Sequence, residues 1–307
     1  MNEDVMLRGL MADGNISLMA ISGRDLVEAA RQTHDLSLVC TAALGRTLLM
    51  CSMMAMELKN PDHRVTTIVK GGGPAGSVVC TGRGDCSVKG YIQNPSYENE
   101  PTPEGKLDVG GAVGFEGEIS VVRDLGLKAP YVGTSKLITG EIAEDFAQYF
   151  NVSEQQPALV YLGIRVDVKS GKTLSAAGLV LKPLPGCPDD VIDGIAARAG
   201  KIGTLSELLE RPLSLEDAIR ELFGDLAPDI LETRCPQYRC DCSRERLEGV
   251  LIALGEKELV DLIESDHGAE LTCHFCNRKY SFSEGELSKL LAQAGGNRGK
   301  DGETTDA

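Results

Sequence analysis

Residues 36–58 run LSLVCTAALGRTLLMCSMMAMEL, 23 positions interrupted by charge only at Arg46 and, near the end, Glu57. A helix this apolar on every face has two homes, a bilayer or the centre of a domain. Arg46 sits in mid-run, and neither end carries the Trp or Tyr that would mark an interface. The expectation is therefore a buried core helix, with a membrane span as the alternative. All 8 Met lie within the first 56 residues, and Met50, Met53, Met54 and Met56 belong to this run, where thioethers fill irregular gaps. Cys40 and Cys51 are about three turns apart on one face and read as small buried hydrophobes.

A chain of 307 residues has material for two domains. Strand-like runs surround the apolar helix: Ile16 to Ser22, Val65 to Lys70, Ser77 to Thr81, Ser87 to Gln93, Glu116 to Arg123, Ala158 to Val168 and Leu174 to Leu181. Arg24 to Thr33 reads as a further helix. Strands at both ends with helices between them indicate an α+β class, a β/α/β domain over residues 1–185. Residues 186–234 change character to short helices with capping boxes at Thr204-x-x-Glu207 and Ser214-x-x-Asp217. Leu215, Ala218, Ile219, Leu222 and Phe223 repeat at helical spacing. Helices this short are marginal alone, so the stripe must dock on another surface, which makes the segment a metastable linker. Residues 235–294 carry two helices split by Gly255, a small hairpin around the last cysteines and a closing helix capped by Ser283-x-x-Glu286. The glycine-rich polar tail, 295–307, is expected to be disordered.

A net charge of -15 argues against a general nucleic-acid binder, since phosphates are gripped by clustered Lys and Arg. Gly71-x-Gly73-x-x-Gly76 has the letters of a dinucleotide fingerprint but contains Pro74 and runs into a strand, so a tight turn is expected. Arg83-Gly84-Asp85 reads as a hairpin turn. The four His show no paired spacing and no nucleophile elbow is present, which removes support for a hydrolase. The opening MNEDVMLRGL lacks the basic head and apolar run of an export signal, so a cytoplasmic location is expected.

Of 10 Cys, five crowd the last quarter: Cys235, Cys240, Cys242, Cys273 and Cys276. In an extended segment positions i and i+2 share a side, so Cys240 and Cys242 can face one ion. Cys273-His-Phe-Cys276 does the same by folding back as a knuckle. Four thiolates from two such pairs make a closed tetrahedral zinc site. Such a metal supplies folding energy to a small module, and it keeps sulfur in the thiolate form that oxidants attack. A purely structural zinc knuckle and four reduced core cysteines are the competing readings at this point.

Cys240-Asp-Cys242-Ser-Arg-Glu-Arg246, the thirty-residue gap containing Leu254-Gly255, and Cys273-His-Phe-Cys276 closing into Tyr280-Ser-Phe282 resemble the redox switch of the heat-shock protein 33 family. Gly140-Glu-Ile-Ala-Glu-Asp145 with Tyr149-Phe150 and Ser153-Glu-Gln155, Arg123-Asp-Leu-Gly126, Pro130-Tyr131 and Leu181-Lys-Pro-Leu-Pro-Gly186 resemble its amino-terminal domain. The resemblance implies a redox-regulated, ATP-independent holdase chaperone and not an enzyme, inactive while reduced, with one Zn²⁺ on Cys240, Cys242, Cys273 and Cys276. It further implies that oxidation pairs Cys240 with Cys242 and Cys273 with Cys276, that zinc leaves and the linker unfolds, and that the chain, often a homodimer, then binds unfolding client proteins. By the same resemblance residues 1–185 are the chaperone domain and 235–294 the zinc-binding redox switch. Cys235 is a fifth thiol that the family pattern does not require. It reads as an idle linker cysteine, with competition for zinc or disulfide exchange as the alternative.

Two other classes stay beside this reading. A zinc-ribbon nucleic-acid module conflicts with the acidity of residues 235–291, with 7 Lys or Arg against 11 Asp or Glu. A thiol oxidoreductase should place its Cys-x-x-Cys after a strand and at the start of a helix, whereas here the next helix begins only after Phe282.

Overall fold

A computed structural model describes residues 4–297 and divides into two compact units, the first ending at Arg239 and the second beginning at Cys240. The class is α+β, as expected. In the first unit β1 (Val5–Met11) and β2 (Ile16–Ser22) form a hairpin, followed by α1 (Arg24–His34) and α2 (Leu38–Met56). Then come β3 (Arg64–Lys70), β4 (Val78–Arg83), β5 (Ser87–Ile92), the short α3 (Val109–Val113), β6 (Glu118–Asp124), β7 (Tyr131–Lys136) and α4 (Ala143–Val152). The hairpin β8 (Leu159–Val166) and β9 (Thr173–Pro183) leads into α5 (Asp189–Ala196), α6 (Ala199–Ile202), α7 (Leu205–Leu208) and α8 (Leu215–Phe223). Two further strands, β10 (Asp229–Arg234) and β11 (Gln237–Tyr238), close the unit.

The strands form a five-stranded sheet ordered β10-β1-β2-β9-β8 and a six-stranded sheet ordered β11-β5-β4-β3-β6-β7. Helix α2 lies between them, against β8, β9 and β2 on one side and β3, β4 and β5 on the other. This is why the sequence could be apolar all round: every residue of α2 except Leu38 and Arg46 is buried. It is the one described helix long and apolar enough to cross a membrane, and it is spent on the core. Arg46 is neutralised by Glu141, its Nη1 donating to the carboxylate at 2.6 Å and to the main-chain carbonyl at 2.9 Å. Glu141 precedes a strained turn, with Ile142 at φ 72°. The buried Asp145 holds that turn by accepting from the N–H groups of Ile138, Thr139 and Ile142 at 2.7 to 3.0 Å. Those bonds account for the Gly140-to-Asp145 signature. Met6, Met11, Met19, Met50, Met53, Met54 and Met56 are each at most 2% exposed.

The glycine motif behaves as a turn and feeds β4, with no helix at its end. A Cβ on Gly71 would lie 2.1 Å from the Gly114 carbonyl oxygen, so its glycines allow two backbones to touch. Arg83-Gly84-Asp85 is the β4–β5 turn.

Alternation along the five-stranded sheet gives it two apolar faces. Met6, Met19, Ile21 and Val180 face the α2 side, whereas Leu7, Met11, Ile16, Leu18, Ala20, Leu179 and Leu181 form a second cluster with α5 to α8. The predicted stripe is that contact: Leu215, Ala218, Ile219, Leu222 and Phe223 are all buried in it. Ser214 caps α8 by accepting from the Asp217 N–H at 3.1 Å. The Thr204 box does not form, because its hydroxyl donates instead to the Lys201 carbonyl at 2.7 Å. The segment 186–234 also ends in β10, which pairs antiparallel with β1, where only helices were expected.

The second unit holds α9 (Arg244–Leu254), α10 (Glu256–Glu264), the hairpin β12 (Gly268–Thr272) and β13 (Lys279–Ser283), and α11 (Glu284–Asn297). Its core is small: Leu251, Leu259, Phe282, Leu287 and Leu290 form its one cluster of buried apolar residues among those described. The last helix continues past the expected Ala294 to Asn297, and the rest of the expected tail, 298–307, lies outside the described residues.

Candidate metal centre

Cys240 and Cys242 lie on an irregular stretch immediately before α9, and Cys273 and Cys276 in the turn joining β12 to β13. The turn is a knuckle closed by main-chain bonds: the Cys273 N–H donates to Arg278 O at 2.9 Å, and the Asn277 N–H donates to Cys273 O at 2.8 Å. Asn277 takes the left-handed conformation, φ 55°, that such a fold-back needs and that Asn tolerates. On the other side Ser243 caps α9, and Arg246 reaches back to the Asp241 carbonyl at 3.0 Å and its carboxylate at 2.6 Å. Arg244 donates to Ser281 O at 3.0 Å, pairs with Glu286 at 2.7 Å and lies over the Phe282 ring at 4.3 Å. Arg244 thus ties the first cysteine segment to β13 and α11 while Arg246 braces that segment on itself, roles that spacing alone did not reveal.

The four sulfurs all lie within 4.8 Å of one another. Cys240 Sγ is 3.7 Å from Cys273 Sγ, and Cys242 Sγ is 3.4 Å from Cys276 Sγ. A regular tetrahedron with metal–sulfur bonds of about 2.3 Å has edges of about 3.8 Å, whereas a disulfide brings sulfurs to about 2.05 Å. The arrangement is therefore that of four free thiols around a space the size of one ion, and the donor set fits a thiophilic, tetrahedral metal. Tyr280 adds a hydroxyl 3.3 Å from Cys242 Sγ. Partial burial pushes the Cys242 thiol up, but hydrogen bonding to Tyr280 and to the other three cysteines outweighs it and brings this thiol down to about 7.

The remaining cysteines have other surroundings. Burial drives Cys51 up to about 12, raises Cys80 well above the ordinary thiol value, and also raises Cys40 and Cys86. Thiols so raised carry little thiolate at neutral pH and are poor nucleophiles. Cys187 is half-buried, and Cys235, exposed, belongs to the first unit and not to the group of four. The Cys273-His-Phe-Cys276 turn sits between two strands, with α11 beginning at Glu284, so it lacks the helix start that lowers the pKa of an oxidoreductase cysteine.

Comparison with known proteins follows this geometry closely. The family model described as "Hsp33 protein" matches residues 4–283. The "33 kDa chaperonin" of Alkaliphilus oremlandii is 42% identical over 292 residues, covering 95% of this chain and 97% of the relative. That of Clostridioides difficile is 41% identical over 290 residues, covering 94% and 99%. Among solved structures, the crystal structure of the 33 kDa chaperonin, a heat shock protein 33 homolog, from Thermotoga maritima matches with a TM-score of 0.86 at 34% identity, covering 95% of this chain and 99% of the other.

Proposed function

The chain belongs to the Hsp33 family and is a chaperone, and from that premise we propose that it is a redox-regulated, ATP-independent holdase for unfolding proteins under oxidative stress. The observation that carries this reading is the closeness of four sulfurs, within 4.8 Å, in a unit whose own apolar core is small. Cys240, Cys242, Cys273 and Cys276 would hold one Zn²⁺, which when bound keeps the four as thiolates and joins the knuckle to the segment before α9. In that reduced state the stripe of α8 stays docked and the apolar face of β1, β2 and β9 remains covered.

One peroxide takes two electrons from each cysteine pair: one S–S bond forms, the O–O bond breaks, and the two oxygens take up two protons from solvent and leave as water. Cys240 pairs with Cys242 and Cys273 with Cys276. The contacts at 3.4 and 3.7 Å run between these pairs, so proximity in the folded cluster does not select the bonds. The pairing is the one that the family resemblance implies. Sulfurs engaged in disulfides no longer serve as thiolate ligands, so the four residues would no longer hold an ion. The unit then loses its brace, residues 186–234 unfold as a linker between the chaperone domain, 1–185, and the redox switch, 235–294, and the uncovered face takes up clients. Two oxidised chains associate as a homodimer. A cytoplasmic setting, where thiols are kept reduced until stress, suits such a trigger. The acidic charge, -15, leaves nucleic acid outside the partner set, and binding without turnover is the activity.

The test combines metal analysis with client protection. Reduced protein is expected to carry one zinc, each of the Cys240→Ser, Cys242→Ser, Cys273→Ser and Cys276→Ser variants less, and peroxide-treated wild type is expected to suppress aggregation of citrate synthase without ATP. Oxidised protein that has released its zinc yet protects no client sinks the holdase reading. Full zinc in any one variant removes that residue from the site.

A further inference from the structure

Strand β10 is an unusual occupant for the place it holds. It pairs antiparallel with β1 over Met6↔Arg234 to Leu10↔Asp229 and forms the outer edge of the five-stranded sheet. Its sequence, DILETR, is half charged and poor in the residues that favour strands. Every second residue faces solvent, including Leu231 at 59% exposure, and Ile230 is its contribution to the apolar cluster under α8. The rest of its hold is polar: Glu232 pairs with Arg8 at 3.0 Å and with Arg234 at 2.5 Å. Downstream, β11 clips the chain to β5 through the Gln237 N–H to Cys86 O at 3.0 Å and the Arg239 N–H to Val88 O at 2.9 Å. Residues 229–239 thus form a strap whose ends are the linker helices and Cys240, the two elements that oxidation is proposed to loosen.

Beneath the strap, β1 has the opposite character. Its sequence, VMLRGLM, carries one charge, and Leu7 and Met11 belong to the cluster that α5 to α8 cover. With β10 gone, β1 presents a row of unpaired N–H and C=O groups on an apolar strand, a template for another chain. At Gly9 the approach is closer than any side chain permits: a Cβ there would lie 2.1 Å from the Asp229 carbonyl oxygen. The edge is shaped to receive backbone. Resting on the holdase reading above, we propose that the vacated edge of β1 is a client-binding site that takes an extended segment of an unfolded polypeptide as an added strand. Main-chain hydrogen bonds are indifferent to sequence, which suits a protein that must hold many clients. The neighbouring apolar face, uncovered when α8 leaves, receives alternate side chains of the added strand. The preferred client segment therefore alternates apolar and polar residues and contains no proline.

The experiment uses the full-length oxidised chain and two probes: a Lys-flanked peptide of alternating Val and Thr, and the same peptide N-methylated at every second residue so that one edge cannot donate. Binding is measured by fluorescence anisotropy and mapped by hydrogen–deuterium exchange. The unmethylated peptide is expected to bind at least about tenfold more tightly, as the loss of several backbone hydrogen bonds requires. It is also expected to slow exchange in residues 5–11 of the oxidised protein. Equal affinity of the two peptides overturns the proposal, and so does protection confined to residues outside 5–11. Concentration-dependent protection of 5–11 without peptide also overturns it, by giving the edge to a second copy of this chain. These outcomes leave citrate synthase protection intact; oxidised protein that protects no client at all fails the holdase reading itself.

Discussion

Glu28 accepts two hydrogen bonds from Arg31, at 2.9 and 2.7 Å, and one from the Thr173 N–H at 3.0 Å, joining α1 to the first residue of β9. The Arg31 bonds, opposed by partial burial and helped by Thr173 and Gln32, bring its carboxyl down to about 2. A carboxyl held below its unfolded value stabilises the fold fully above about pH 4.5, and that contribution is lost as the pH falls toward 2. Glu28→Gln is therefore expected to cost about 1 kcal/mol at pH 7, measured by urea unfolding, with the gap from wild type closing between pH 4.5 and 2. A gap independent of pH would show that the carboxylate charge contributes nothing. Residue pairs of this kind were not legible in the sequence. Arg46 was visible as an anomaly in an apolar run, but its partner Glu141 is 95 positions away, and only the folded chain brings them together. The cysteines were legible because their chemistry is written in short spacings.

Elements whose pattern is local read well from the sequence. The strand Ile16–Ser22 and the helix from Glu256 to Glu264 fall where periodicity and Gly255 put them. Those recruited by a distant surface did not: β10 has no strand pattern of its own and is extended because the edge of β1 pairs with it. The helix α4 was likewise hidden, since its start depends on Asp145 holding a turn that Ile142 would otherwise avoid. Helix α8 offers the sharpest test at this scale. Ile219 is fully buried in the cluster against β1, β2 and β9, so Ile219→Asp places an unpaired charge there at a cost of about 3 to 5 kcal/mol. The expected result is a reduced, zinc-loaded protein that already suppresses client aggregation and is cut by protease between Gly186 and Arg234. A variant that stays inactive and resistant would show that this stripe is not the restraint.

Across the whole molecule, stability is unevenly distributed. The first unit has two large apolar clusters, while among the described residues the second has one cluster of five buried side chains, too few to hold a module of that size without a staple. Removing metal from reduced protein with a chelator is expected to abolish protection from hydrogen exchange throughout residues 240–293 while the amides of α2 stay protected. Retained protection in α9 to α11 would show that the module folds on its own packing. The burial of Met6 to Met56 has a further effect on service life. Methionine sulfoxide is repaired only by dedicated enzymes, whereas a disulfide is undone by any adequate thiol, so a protein triggered by oxidants accumulates damage wherever thioethers meet solvent. Here each methionine from Met6 onward is at most 2% exposed. Repeated cycles of peroxide and dithiothreitol should therefore leave no 16-dalton increments on peptides that carry Met50 to Met56, the thioethers of α2, which stays between its two sheets when the linker unfolds.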